Sequence, residues 1–400
     1  MSLTVHAALE IGTTRTVMAI GECESGGEIE ITSIAKIPST GIRKSVITDI
    51  DDAATGIKAL LKQIENESKK QGGSIDIANA FLVVNGQHIS ADQLSSTLSI
   101  AGKKVSDEDI EEISANARQL APQGGERQAL DIIEQDFSVD QTGGILSPKG
   151  RAGHVLRLNV LSITGDKNKI QDAKTAADAA RLELRDPLFA CTCAAEAVLE
   201  DHEKKSGVLV LDLGGGSTGY AFYCDGYLVT AGAIGVGGDH ITNDLAHAFG
   251  ISNAQAELLK RRYAAAVMNP EDGEKRATIE VTTPGMDNRT VSMRAVNTVT
   301  SVRMKELIAM IRERLESMGL MNRMHTGVVL TGGGAQLRDV DVLIQRELGA
   351  GVRIGRPLYV RGLESEDFPA EYAAIAGALM YAHRNYEEHS IFDSLKGIFK

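Results

Sequence analysis

One short pattern occurs twice in this chain and restricts its fold more than any other feature. Leu9-Glu10-Ile11-Gly12-Thr13-Thr14 and Leu211-Asp212-Leu213-Gly214-Gly215-Gly216 each end an apolar run with an acid, an apolar residue and a glycine turn. Each turn leads from one strand into another. Residues 5–11 and 16–21 flank the first, and residues 208–212 and 220–223 flank the second. A duplication of this kind implies two similar lobes that face each other across a cleft.

The rest of the chain fits around that frame. Residues 29–37 read as a third strand. Residues 52–67 carry Ile57, Leu60, Leu61 and Ile64 at helical spacing, and residues 80–84 form another strand. This order mixes hairpins with a crossover, so the expected fold class is α/β, two lobes with duplicated mixed β-sheets. Between residues 86 and 162 the texture changes to alternating strands (135–139 and 155–162) around an acidic helix at 107–119, which reads as an inserted subdomain. Residues 169–181 and 299–318 are helices, 326–331 is a buried strand, and 269–288 is a polar loop or hairpin.

The two turns suggest chemistry. Gly214–Gly219 satisfies G-x-G-x-x-G, but that fingerprint should open a helix, and here a strand follows. The glycines therefore form a hairpin tip, where backbone N–H groups and the Ser217 and Thr218 hydroxyls can meet phosphate oxygens. No P-loop pattern occurs. Two such tips, with Gly12, Thr13, Thr14 and Arg15 on one and Gly214, Gly215, Gly216, Ser217 and Thr218 on the other, would grip one polyphosphate from both sides. Glu10 and Asp212 would offer carboxylates to Mg2+, which takes a few carboxylates together with water and phosphate oxygens. A third turn, Gly332-Gly333-Gly334, allows close approach to a flat adenine or ribose. Glu257 and Lys260 are three residues apart on a helix, so they share a face that could bond ribose hydroxyls or pair with each other.

Composition removes other classes. With 54 acidic and 42 basic residues the net charge is -12, unlike the basic footprint that nucleic acid needs. Aromatics are only 4%, too few for stacking platforms. Cys23, Cys191, Cys193 and Cys224 are too sparse for a disulfide framework and read as buried thiols. No apolar run reaches the roughly 20 residues of a membrane span, and the N-terminus lacks a signal-peptide layout, so a cytoplasmic location is expected.

At this point the residues resemble a family. The phosphate hairpins, Ala256-Glu257-Leu258-Leu259-Lys260 and the Gly332–Gly334 turn form the motif set of the actin/Hsp70/sugar-kinase ATPases. Within it the chain is similar to the FtsA-like division proteins through Val84-Asn85-Gly86-Gln87-His88-Ile89, residues 244–250, residues 327–336 and Val352-Arg353-Ile354-Gly355-Arg356-Pro357. The resemblance implies ATP and Mg2+ as ligands. It also implies a relocated subdomain at 86–162 and an FtsZ-binding subdomain at 242–302, with Arg303 as a candidate contact to the FtsZ C-terminal peptide. The first lobe would comprise 1–85, 163–203 and 370–385, and the second 204–241 and 303–369. Arg15 stands where the superfamily usually has Lys, and Gly219 where an Asp often follows. Glu196, on the helix joining the lobes, is the acidic candidate for orienting an attacking water beside Asp212, and at most slow hydrolysis is expected.

The last residues add a membrane feature. Ile391, Phe392, Leu395, Ile398 and Phe399 fall within about 120° of a helical wheel, opposite Asp393, Lys396 and Lys400. A helix of this length, about 16 Å, is too short to span and suits the plane of a lipid interface. It matches the targeting helix of FtsA-like proteins, joined by a linker that begins at 386. The implied function is a scaffold that polymerises on the cytoplasmic face of the inner membrane at the division site. There it would anchor FtsZ filaments and meet later division proteins. A PilM-like cytoplasmic platform of a pilus or secretion machine shares the core but needs no lipid anchor. A sugar kinase would need a sugar pocket with an aspartate.

Overall fold

The duplicated pattern becomes two copies of one sheet. A computed structural model describes residues 3–24, 28–70, 77–122, 125–279, 289–364 and 366–384. The expected amphipathic segment with Ile391, Phe392, Leu395, Ile398 and Phe399 lies outside the described residues, as does part of the expected loop at 269–288.

In the first lobe β1 (Leu3–Ile11), β2 (Arg15–Glu24) and β3 (Ile29–Pro38) form an antiparallel meander. A two-residue-per-strand hairpin, β4 (Ile42–Arg43) and β5 (Val46–Ile47), precedes α1 (Ile50–Lys70). Ala53, Ala54, Ile57, Leu60, Ile64 and Ser68 line the buried stripe of α1, as 3.6-residue periodicity requires. The crossover delivers β6 (Asn79–Val84) parallel to β1, with Glu10 opposite Val83.

The inserted segment contains β7 (Ser90–Ser99), α2 (Asp107–Arg118), β8 (Arg127–Val139), β9 (Thr142–Ile145) and β10 (Val155–Asp166). Its strands are longer than the sequence predicts, because Asp131, Glu134 and Asp136 interrupt the alternation of β8, which crosses β10 with two register shifts. The chain then returns through α3 (Lys167–Ala179), β11 (Glu183–Phe189), α4 (Ala190–Val198) and α5 (Asp201–Ser206).

The second copy repeats the first. β12 (Val208–Leu213), β13 (Thr218–Cys224) and β14 (Tyr227–Ile234) are again an antiparallel meander. Helices α6 (Gly238–Phe249) and α7 (Asn253–Tyr263), the hairpin β15 (Arg276–Ile279) and β16 (Arg289–Ser292), and α8 (Met293–Ser317) follow. Next come β17 (Gly327–Thr331), α9 (Val340–Leu348), β18 (Val352–Ile354), β19 (Val360–Arg361) and α10 (373–384). The order β3-β2-β1-β6-β11 is matched by β14-β13-β12-β17-β18, with two antiparallel and then two parallel pairings in each.

One feature was not legible in the sequence. The sheet of the insert continues the second lobe's sheet, in the order β14-β7-β10-β8-β9. Ser90 pairs with Gly232, and the buried Gln135 donates to the carbonyls of Leu228 and Val229. This covers what would be an open strand edge on β14. One apolar core fills the first lobe and takes in Val208, Val210, Ala221 and Val329 of the second lobe with Leu161 and Ile163 of the insert; a second fills the rest of the second lobe and a third the outer part of the insert. The four cysteines are free and buried in them. Among the described residues no helix is long and apolar enough to cross a membrane.

Candidate functional site

The two turns have the same backbone geometry. Gly12 N–H donates to Arg15 O at 3.1 Å, and Gly214 N–H donates to Ser217 O at 3.0 Å. A Cβ at either glycine would lie 2.7 Å from that carbonyl oxygen, so both positions exclude a side chain. The turns also meet face to face. A Cβ on Gly215 would lie 2.1 Å from Thr14 Oγ1, and one on Gly216 would lie 2.4 Å from Thr13 Oγ1. Gly216 is thus packed against Thr13 and the Lys44 backbone and does not line the cavity, as the sequence reading had expected of it.

Behind the turns opens a cavity of about 830 Å³. Gly12, Thr13, Thr14, Arg15, Gly214, Gly215, Ser217, Thr218, Glu257, Lys260, Gly332, Gly333 and Gly334 all line it, with Glu10 and Asp212 at its floor. Helix α6 begins at its wall. The N–H groups of Gly238 and Asp239 donate to the carbonyls of Gly214 and Gly215, which turns those carbonyls towards the helix. Lys260 ion-pairs with Glu257 at 2.6 Å and donates to Gly238 O and Thr242 Oγ1, so the expected α7 face does reach the site.

In the third turn, glycine has two separate reasons. Gly332 has φ +79°, and a Cβ there would lie 2.5 Å from Asp212 Oδ1; at Gly334 it would lie 2.8 Å from Leu213 O. These two are demanded by packing on β12. Gly333 alone faces open space, so only it keeps the role of admitting a flat ligand.

The hydroxyls are engaged locally. Thr218 Oγ1 donates to Val236 O at 2.8 Å. Ser45, at the tip of the β4–β5 hairpin, lies 3.0 Å from Thr13 Oγ1 and 3.3 Å from Ser217 Oγ, which bridges the two turns. Ser45 and Lys44 hold positive φ without being glycine, a strained conformation. Nothing in the periodicity around residue 45 signals this role.

The carboxylates carry the electrostatics of the site. Burial raises Glu10 to about 7; Arg15 opposes the shift, while Asp212 and Glu371 add to it. Burial likewise raises Asp212 to about 6, against the pull of Arg15 and a hydrogen bond from Thr331. Glu10 Oε2 is buried and has no hydrogen-bond partner. Two buried acids from opposite lobes, one with an orphaned oxygen, fit a hydrated divalent cation completed by water and phosphate oxygens. Among the described residues no cluster of three or more His, Cys, Asp or Glu could hold a metal on protein ligands alone.

Three expected site residues are committed elsewhere. Arg15 reaches Glu371 with both terminal nitrogens, one bonding the carboxylate and one the main-chain carbonyl, and its guanidinium lies 5.4 Å from the centre of the Tyr372 ring. Glu371 also accepts from Gln336, next to the third turn. Glu196 does not line the cavity. It pairs with Lys204 at 3.0 Å and Arg384 at 2.6 Å, and these partners hold its carboxyl below the usual range although burial alone would raise it. The turn of α4 that carries it faces α5 and the end of α10, so the candidate water-orienting acid is instead an ion-pair hub. Arg303 grips Asp244 with two hydrogen bonds and pairs with Glu306.

The Gly219 departure also has a physical reason: a Cβ there would lie 2.7 Å from Cys191 Cβ, so β13 packs too close to α4 for any side chain.

Comparisons with known proteins agree with this architecture. Two family models match the sequence, Cell division protein FtsA over residues 209–377 and the SHS2 domain inserted in FTSA over residues 86–164, together more than half of the chain. The chain is 28% identical over 386 residues to the cell division protein FtsA of Escherichia coli (strain K12), covering 94% of this chain and 90% of that protein. It is 29% identical over 374 residues to FtsA of Pseudomonas aeruginosa, with coverage of 93% and 88%. For FtsA of Bacillus subtilis (strain 168) the identity is 28% over 384 residues, with coverage of 95% and 84%.

Among solved structures, the PilM-PilN type IV pilus biogenesis complex superposes with a TM-score of 0.65 at 17% identity, covering 94% of this chain and 98% of that one. MreB5 of Spiroplasma citri bound to ADP gives 0.53 at 14% identity, with coverage of 96% and 98%. At such identities the likeness concerns the fold, which is the actin-like one. The chain belongs to the FtsA family of actin-like cell division proteins.

Proposed function

We propose that this chain binds Mg2+·ATP between its two glycine turns, polymerises on the inner membrane and anchors FtsZ filaments there through residues 391–400. The observation that carries the nucleotide half is the carboxylate pair. Glu10 and Asp212 end equivalent strands of the two lobes, and Glu10 keeps a buried oxygen without a partner. A cation bound there supplies positive charge between these acids and the phosphate oxygens. The chain's own part is to place the two turns in contact, to close the wall with α6 and to offer Gly333 as the open position of the third turn.

The tether half rests on family membership and on the amphipathic pattern at the end of the chain. One such helix binds a bilayer only marginally, so a filament that presents many at once gives stable attachment. On this reading the Arg303 side chain, tied to Asp244 and Glu306, supports the FtsZ-binding surface by ordering α6 against α8.

The test is liposome co-sedimentation with Mg2+·ATP, comparing the full chain with one that ends at His389. The reading requires only the full chain to pellet with lipid and to carry FtsZ down with it. Equal behaviour of the two proteins would instead favour a cytoplasmic platform like that of a pilus machine.

A further inference from the structure

The lobes meet in front of the carboxylate pair through few side chains, and one of these has no role so far. Asn85 follows β6, which lies parallel to β1 beside Glu10, so it stands at the mouth of the first lobe. Its amide orientation is settled by its neighbour: the Gly86 N–H can only donate, so the atom it meets at 2.8 Å is Asn85 Oδ1. The Nδ2 end therefore faces the second lobe, where it donates to Asp212 Oδ2 at 3.3 Å. Thr331 Oγ1 approaches the other oxygen, Oδ1, at 3.4 Å. Asp212 is thus steadied by one donor from its own lobe and one from across the cleft.

The loop that presents Asn85 is held firmly. Gly86 has φ +131°, and a Cβ there would lie 3.0 Å from the His88 ring. His88 Nδ1 accepts from the Asp166 N–H where α3 begins. Arg127 of β8 clasps the loop by donating to His88 O, Ser90 Oγ and Thr164 O. A donor mounted this way is preorganised, which is what a group orienting a metal-binding carboxylate requires.

We propose that Asn85 is a positioning residue for the cation, holding the Asp212 carboxylate towards Glu10 only while the lobes are together, so that cation capture and lobe closure are one event. The proposal rests on the reading that the cleft takes Mg2+·ATP. Asn85 itself does not ligate the metal. Its contribution is the geometry of Asp212, and that makes it separable from nucleotide contacts made by the turns.

The experiment measures binding of a fluorescent ATP analogue to the full chain while Mg2+ is titrated, with an EDTA baseline, for wild type, Asn85→Ala and Asn85→Ser. Replacing an outer-shell partner typically weakens metal affinity about 10- to 100-fold. Asn85→Ala is therefore expected to raise the half-saturating Mg2+ concentration at least about tenfold, with binding in EDTA unchanged. Asn85→Ser keeps a hydroxyl donor and should fall between the two. A merely structural role would weaken binding equally with and without Mg2+ and lower the thermal midpoint, and that result overturns the proposal. So does an Asn85→Ser protein that folds with a wild-type midpoint and a wild-type Mg2+ requirement. If wild type binds no analogue under any condition, the nucleotide reading itself fails, and the inference falls with it.

Discussion

The two phosphate turns share a backbone but not an environment. In the second lobe, Ser217 and Thr218 are buried and Asp212 is met by Asn85 and Thr331. Helix α6 seals the carbonyls of Gly214 and Gly215. In the first lobe Thr14 is exposed, Thr13 is half-buried, and Glu10 retains an oxygen without a partner. The cation beside it, Arg15, is held by Glu371. One turn is finished by the protein and the other is left for a ligand to finish. The two turns repeat one backbone, while their two acids have different neighbours.

Removing the finished acid is the harshest way to break this comparison. Asp212→Ala should weaken Mg2+-dependent nucleotide binding about 100-fold, or about 2.7 kcal/mol, in the titration described above. Arg15→Ala comes next. Stripping the guanidinium leaves the partly buried Glu371 with Lys36 and Gln336 as its remaining partners, so chemical denaturation should show a loss of about 1 kcal/mol. Nucleotide affinity should change far less than stability; the opposite pattern would restore Arg15 as a phosphate ligand.

Glu10→Gln should move stability the other way. Its carboxyl is raised to about 7 by burial, so the charge becomes a cost to the folded state as pH rises from the usual carboxylate range through 7. At pH 8 without divalent cation the variant should gain on the order of 1 kcal/mol, while losing the stabilisation that Mg2+·ATP gives wild type. A variant no more stable than wild type would mean that the unpaired oxygen costs nothing.

The smallest effect concerns the loop that carries His88. Burial lowers His88 to about 4, with Lys169 adding to the shift and Asp166 opposing it, and the ring accepts a hydrogen bond from the Asp166 N–H. A depressed histidine contributes stability that is complete above its ordinary value near 6.5 and is lost as pH falls from there towards 4. Between pH 7 and 5 denaturation curves should lose on the order of 1 kcal/mol, a slope that His88→Asn should flatten.

What the sequence revealed and what it hid divide along physical lines. The glycine turns, their acids, the meander-plus-crossover order and the shared face of Glu257 and Lys260 were legible because each is a local pattern of a few residues. Arg15 and Glu371 were not, since their pairing joins residues 356 apart in the chain. The ion pairs of Glu196 were not legible either, because its spacing on α4 says nothing about which neighbour, Lys204 or Arg384, its carboxylate will find. Ser45 and Asn85 lie in short connections, where no periodicity marks one polar residue above another. The glycines of the third turn were seen, but two of the three answer to Asp212 and Leu213, contacts that only the assembled sheet creates.

The shared sheet of the insert has a mechanical consequence. The insert leaves the chain after β6 and returns at α3, both in the first lobe, yet its strands extend the sheet of the second through the single pairing of Ser90 with Gly232. It is therefore a crossbar rather than a pendant arm. A load applied to it is divided between both sides of the cleft. Beside that one backbone bridge and the Gln135 side chain, Leu161 and Ile163 of the insert share an apolar core with Leu228 and Ala231 of β14, so a pull that parts the lobes has to open this seam together with the bridge.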